Sequence, residues 1–241
     1  VSGYVDLHCH LLWGVDDGAK TVEDALEMAR ALVDLGFATV AVSPHNRPEY
    51  APKTVAEARL MEARQALAAA HIPLALEPNA ENFFVDERLL ASIGTPSGRP
   101  LGAGAYLLVE APYTSPLPAL TDLIFRMKLK GVTPLIAHPE RCMEFEREGR
   151  AAEAIQAGAR LQLDVGALVG RYGPRAKKLA RSFLDEGLYA VAASDLHSPV
   201  GARDWVGRSI AELRAKAGER VADALLRDHP AKVLAGQELE S

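Results

Sequence analysis

Short apolar runs alternate with amphipathic stretches along almost the whole chain, and this alternation limits the folds open to it. Strand-like runs fall at "YVDLH" (4–8), "FATVAVS" (37–43), "PLALE" (73–77), "AYLLVE" (105–110), "TPLIAH" (133–138), "RLQLD" (160–164) and "YAVAAS" (189–194). Their interiors are almost purely apolar. Between them lie helical patterns at roughly 54–70, 117–130, 150–157, 174–187 and 205–217. An earlier one opens on Thr21 with Asp24 as an N-terminal cap, then repeats Val22, Leu26, Ala29 and Val33 at helical spacing until Gly36. Seven strands, nearly all followed by helices, predict an α/β chain with a parallel sheet or barrel wound in right-handed βα units. The Gly/Pro-rich segment "IGTPSGRPLGAG" (93–104) reads as a loop and not a boundary, because the alternation resumes after it, so residues 1–241 are expected to form one domain.

Composition narrows the class further. A chain of 241 residues, 49% hydrophobic, can bury a substantial core without staples. Its two cysteines, Cys9 and Cys142, form no C-x-x-C pair, which argues against a disulfide framework or a zinc ribbon and for a reducing, cytoplasmic compartment. No run of 18 apolar residues exists, so membrane insertion is not expected, and the polar opening stretch leaves no room for a signal peptide. The net charge of −5 comes from interspersed acidic and basic residues, which argues against a nucleic-acid partner held by a basic face.

The polar exceptions to the strand pattern cluster at one place in each repeat. His8 and His10 end the first strand, one residue apart, and would project to the same face; Asp17 follows in a glycine turn. His45 lies just past the second strand, Glu81 follows the third, Glu110 ends the fourth, His138 ends the fifth, and Asp195 with His197 follows the seventh. In (β/α) barrels the carboxyl ends of the strands are the rim on which active sites form. A lone polar residue at a strand end is ordinarily a satisfied surface group; nine ligand-type residues on one rim are not explained that way. Imidazoles with carboxylates, and no thiolate cluster, suit Mn, Fe or Zn ions. Nine ligands exceed the need of one ion and match two or three divalent ions, which can acidify water and clamp a phosphoryl group.

Other chemistries fit less well. A thiol-based tyrosine phosphatase needs H-C-x-x-x-x-x-R, and here the arginine position is Val15. No G-x-S-x-G elbow, Walker sequence or H-E-x-x-H helix is present, and "GAG" (102–104) is a turn before a strand. An amidohydrolase-type barrel also begins with H-x-H and uses a late Asp, but Glu81, Glu110 and His197 fit it less well.

The stretches "DLHCHLLWGVDDGAKTVEDALEMA", "VSPH", "NAE", "VE", "IAHPER" and "ASDLH" resemble, in order and spacing, the PHP (polymerase and histidinol phosphatase) superfamily. More narrowly, the chain resembles the bacterial PHP-type protein tyrosine phosphatases that accompany capsule and exopolysaccharide tyrosine kinases, over about residues 4 to 235. The resemblance implies a distorted seven-stranded (β/α) barrel with a trinuclear, usually manganese-dependent site. It implies that His8, His10, Glu81 and Asp195 hold one metal, and that Glu81 bridges to a second held also by Glu110 and His138. Asp17, His45 and His197 would hold the third. Arg141 would bind the substrate phosphate, its guanidinium fork suiting a pair of phosphoryl oxygens. Arg203 is the second phosphate candidate, although "DLHSPVGAR" sets it one residue farther from the Asp-His pair than the family usually does. The implied substrate is a phosphotyrosine-containing protein, the tail of a bacterial tyrosine kinase. A small phosphate monoester such as histidinol phosphate remains the alternative within the superfamily.

Several positions have competing readings. Trp13, where the family usually has proline, is a candidate aromatic wall of the pocket. Asp164, at a strand end where the family tends to carry a small hydroxyl residue, either faces the site or caps the following turn, and the cap is the favoured reading. Glu77 is a rival to Glu81, but the Asn79-Ala80-Glu81 turn fits the family better. Cys9 reads as barrel wall, and His71 and His229 as residues near helix ends.

Overall fold

The computed structural model describes residues 3–84 and 87–239. All seven expected strands form: β1 (Tyr4–Cys9), β2 (Phe37–Val42), β4 (Ala75–Pro78), β6 (Tyr106–Glu110), β7 (Thr133–Ala137), β8 (Arg160–Asp164) and β9 (Tyr189–Ala193). Two very short strands were not expected, β3 (His45–Asn46) and β5 (Glu81–Phe83). Every pairing is parallel, in two sheets ordered β1-β2-β4 and β3-β5-β6-β7-β8-β9. The split between the sheets has a local cause. Pro44 follows β2 and Pro78 ends β4, and neither can donate to a ladder. The chain therefore steps from β2 into β3 and from β4 into β5 in a new register. At the other edge β1 meets β9 through the bridge Cys9↔Leu196 and the bonds His10 N to Leu196 O (2.9 Å) and Asp195 N to His8 O (2.9 Å).

Helices α1 (Val22–Asp34), α2 (Lys53–Ala69), α3 (Glu87–Ser92), α4 (Leu120–Leu129), α5 (Arg150–Gln156), α6 (Val165–Leu168), α7 (Gly173–Asp185), α8 (Ala202–Ala217), α9 (Glu219–Asp223) and α10 (His229–Leu234) fill the connections. The expected start of α1 is a capping box: Asp24 N donates to Thr21 Oγ1 (3.2 Å) and Thr21 N to Asp24 Oδ2 (3.1 Å), a device worth about 1 kcal/mol. Residues 93–104 are a loop carrying one bridge, Leu101↔Tyr106. Among the described residues no helix is long and apolar enough to cross a membrane.

The strands are covered on both faces, which is why they read as apolar runs. In β6, Leu107 and Val109 join the large cluster that includes Met28, Leu32 and Ile124 of the helices. Tyr106 and Leu108 turn the other way, into a smaller cluster with Val5, Leu7, Leu135 and Val191. Glu110 continues the Tyr106–Leu108 face at the carboxyl end, so the period of two delivers a carboxylate to the end of this second cluster.

Candidate metal centre

The alternation of β1 carries His8 and, one residue past the strand, His10 to a common face, with their Nε2 atoms 3.1 Å apart. Glu81 Oε2 lies 3.4 and 3.5 Å from these two nitrogens, and Asp195 Oδ1 lies 3.2 and 3.4 Å from them. The short strands β3 and β5 pair His45 with Glu81, setting His45 Nδ1 2.8 Å from Glu81 Oε2. The other oxygen, Glu81 Oε1, is 2.9 Å from His138 Nε2. One carboxylate thus touches four imidazoles, and its two oxygens face different groups. Asp17 Oδ1 stands 3.4 Å from His45 Nε2 and 3.6 Å from His197 Nε2.

The donor atoms fall into four overlapping groups, each lying within 4.8 Å of one another: His8, His10 and Glu81; His8, His138 and Asp195; His45, Glu81 and Glu110; and His10, Asp17, His45 and His197. Every one of the nine ligand-type residues picked from the sequence enters a group. Glu110 sits with His45 and Glu81, where the expectation had it with Glu81 and His138; Arg47, lying 4.4 Å over the Phe83 ring, draws the Glu110 carboxylate into an ion pair. Rival Glu77 belongs to none of these groups.

The local backbone is bent to make this convergence. His138, directly after β7, and Asp195, two residues past β9, have φ of 33° and 49°, a left-handed conformation that L side chains rarely adopt. Such strain costs on the order of 1–3 kcal/mol and gathers at functional sites. Gly18 explains the glycine of the opening motif: a Cβ there would sit 2.2 Å from His10 O, so only glycine lets the Asp16–Asp17 loop fold back over His10.

Residues beyond the nine orient the rings. Asp16, missed in the sequence because it stands beside Asp17, takes His10 Nδ1–H at 2.7 Å and His45 N–H at 3.0 Å. His197 Nδ1 is 2.9 Å from Asp195 O. The Gln162 amide lies 3.0 Å from His8 Nδ1, and its Oε1 has no other partner. With the amide turned about, that oxygen would accept the Nδ1–H of His8 and leave the Nε2 lone pair facing the cluster.

Electrostatics fit a cation. Seven of the nine residues are buried, Asp17 being exposed and His197 intermediate. Burial should raise the carboxylates, yet Glu81 and Asp195 are held well below the usual range, chiefly by His8. Burial should likewise lower His45, yet bonding to Asp17 and Glu81 pushes it up to about 9. The cluster keeps its negative charge only by sharing it with imidazole protons, a task a divalent cation can take over. Asp195 Oδ1 is buried without a hydrogen-bond partner. These orphaned and crowded donors, all nitrogen and oxygen, suit Mn, Fe or Zn ions.

Arg141 follows His138 in a one-turn 3-10 segment, Pro139–Arg141, and is sandwiched between the Tyr113 and Tyr172 rings at 4.8 and 4.1 Å. Its NH1 donates to Asp195 Oδ2 (2.5 Å) and Asp164 Oδ2 (3.2 Å). Asp164 is the expected cap, accepting from Gly166 N at 2.8 Å, but its second oxygen also faces the site through Arg141. Arg203 departs from expectation: it lies in the first turn of α8 and pairs with Asp34 of α1, its side chain 62% exposed. Trp13 does not wall this cleft; it packs on the core and receives Arg59 at 4.7 Å. Cys9 is buried wall, His71 ends α2 with φ 54°, and His229 Nδ1 is 2.7 Å from Ala190 O. A cleft of about 580 Å³ opens over the cluster, lined among others by Asp17, Arg141, Arg171, Asp195, His197 and Trp205.

Comparison with known proteins agrees with this geometry. A family profile described as "Capsular polysaccharide synthesis, CpsB/CapC" matches residues 4–235. The tyrosine-protein phosphatase YwqE of Bacillus subtilis is 32% identical over 198 residues, covering 80% of this chain and 77% of that one. The tyrosine-protein phosphatase CpsB of Streptococcus pneumoniae is 26% identical over 244 residues, covering 97% and 99%. A solved structure, described as YwqE from Bacillus subtilis and CpsB from Streptococcus pneumoniae, "unique metal-dependent tyrosine phosphatases", superposes with a TM-score of 0.88 at 27% identity, covering 98% of this chain and 96% of that one. An organophosphorus hydrolase from Deinococcus radiodurans shares the fold at a TM-score of 0.60 and 13% identity, covering 96% and 93%.

Proposed function

The chain belongs to the CpsB/CapC family of capsular polysaccharide synthesis, and from that premise we propose that it is a metal-dependent protein-tyrosine phosphatase. The observation that carries the reading is Glu81, one buried carboxylate whose two oxygens face four imidazoles. His8, His10, Glu81 and Asp195 hold one divalent ion. Glu81, with His138 or Glu110 beside it, would contribute to a second, and Asp17, His45 and His197 would hold a third. Manganese is the preferred ion. The two sheets form one distorted seven-stranded barrel, β3 and β5 being displaced continuations of β2 and β4 that carry ligands to its rim.

Bound there, the ions supply Lewis acidity, acidifying water and offsetting charge on the phosphoryl oxygens. The chain does the rest. Asp16 and Gln162 fix the tautomers of His10 and His8 through Nδ1, so that Nε2 of each ring is available to the ions. Arg141, clamped between two tyrosine rings and paired with Asp195 and Asp164, would present its guanidinium to the phosphoryl oxygens. A departing tyrosine phenolate, with a free pKa of about 10, needs little help from a proton donor. The cleft opens at exposed residues, Asp17, Ser198 and Val200, which suits a flexible phosphotyrosine segment such as the tail of a bacterial tyrosine kinase in the cytoplasm.

The test is a panel of phosphotyrosyl peptide, phosphoseryl peptide and histidinol phosphate, assayed after chelation and after Mn²⁺ is restored. Preference for phosphotyrosine, present only with metal, supports the proposal. A preference for histidinol phosphate would move the chain to small-molecule chemistry.

A further inference from the structure

The family resemblance leads one to expect two phosphate-binding arginines, and Arg203 is not placed to be the second. It begins α8 and spends its charge on Asp34 at the surface, outside the cleft. A different arginine takes a position on the cleft wall. Arg171 lies in the turn between α6 and α7, and its guanidinium rests 4.0 Å over the ring of Trp205. Trp205 is only 5% exposed and belongs to the core, so the shelf under Arg171 is rigid. The turn is shaped to lay the side chain there. Arg171 N donates to Gly166 O at 3.1 Å, and a Cβ on Gly166 would sit 2.8 Å from Arg171 Cδ and 3.3 Å from the Trp205 ring. Gly166 thus leaves the space that the arginine stem crosses.

The two arginines of the cleft differ in one respect that matters for binding an anion. Arg141 is already engaged by Asp195 and Asp164. The Arg171 side chain has no carboxylate or hydrogen-bond partner among the described residues; its guanidinium rests on the indole face. Its donors are therefore free, held in a fixed plane, and on the wall that also carries His197 and Asp195.

We propose that Arg171, laid on Trp205, is the second phosphate-binding arginine of this chain and stands in for Arg203. It takes a phosphoryl oxygen of the substrate in the cleft that it lines together with the tyrosine-clamped Arg141. This rests on the phosphatase reading for the identity of the substrate, but the anion site it describes can be measured without turnover.

The experiment compares Arg171→Ala, Arg171→Lys and Arg203→Ala with the parent, all loaded with Mn²⁺. Inorganic phosphate affinity is read by calorimetry and kcat/KM with a phosphotyrosyl peptide, with metal content as control. Loss of a charge-assisted pair weakens binding about tenfold to a hundredfold. Arg171→Ala should lose that much in both readouts with its metal intact. Arg171→Lys should recover part of it, since an ammonium keeps the charge but not the fork. Arg203→Ala should stay within about twofold. Normal phosphate affinity in Arg171→Ala would overturn the proposal, and loss in Arg203→Ala instead would restore the expected residue. If the parent binds phosphate through Arg171 yet hydrolyses no phosphotyrosyl peptide, the anion site stands and the phosphatase reading fails.

Discussion

His8 and His10 meet nitrogen to nitrogen, their Nε2 atoms 3.1 Å apart and both rings buried. Two imidazoles so placed cannot both donate there, and Glu81 and Asp195 stand beside both nitrogens. A cation between the four resolves the crowding. This contact follows from the strand period, because His-x-His at the end of β1 sets both rings on one face.

In the proposed assignment Glu81 is the shared ligand, and Glu77 lies outside the four donor groups. Glu81→Ala should lose more than one metal equivalent, whereas Glu77→Ala should keep its metals. Elemental analysis of the two purified variants decides, and the reverse pattern would assign the site to the wrong carboxylate.

Asp16 touches no predicted ion but holds His10 at Nδ1 and the backbone of His45. Asp16→Asn should weaken metal affinity by about 10–100-fold, the usual effect of removing an orienting carboxylate. Activity should return at saturating Mn²⁺, which separates an orienting role from a direct one in a titration of rate against metal.

Arg141 bonds to Asp195 and is proposed to bind the substrate phosphate as well. Arg141→Ala should keep its metal content while kcat/KM falls about tenfold to a hundredfold, and inhibition by inorganic phosphate should weaken in parallel. Normal turnover with normal inhibition would reduce Arg141 to a structural partner of Asp195 and Asp164.

Gly18→Ala should destabilise the chain by roughly 1–3 kcal/mol through overpacking, because the new Cβ would collide with His10 O. Thermal unfolding with and without Mn²⁺ checks it. The metal-dependent part of the stability should shrink as well, since the collision displaces Asp16 and Asp17 from the rings they face.

Much of this was legible in the residues. The seven main strands show because parallel strands buried on both faces read as apolar runs, and the ligands show because they interrupt those runs at one end. β3 and β5 were not legible: they are two and three residues long, and each follows a proline, Pro44 or Pro78, that cannot donate to a ladder. Asp16 was hidden beside Asp17, since adjacent aspartates in a turn look alike until the fold aims them. Arg203 shows the cost of a single residue. In a helix each position turns by about 100°, so an arginine one place late faces Asp34 instead of the cleft. Arg171 had no sequence signal, because its place depends on a tryptophan 34 positions later and on a glycine five positions earlier.

In the proposed function the phosphate is recognised by metal held in this cluster. The four carboxylates Asp17, Glu81, Glu110 and Asp195 carry −4 without metal, and three divalent ions would make the mouth positive. The direct measurement is binding of a non-hydrolysable phosphotyrosyl peptide to chelated and Mn²⁺-loaded protein. The loaded form should bind at least about tenfold tighter; equal affinity for the two forms would place recognition on a separate docking surface and overturn the metal-centred reading.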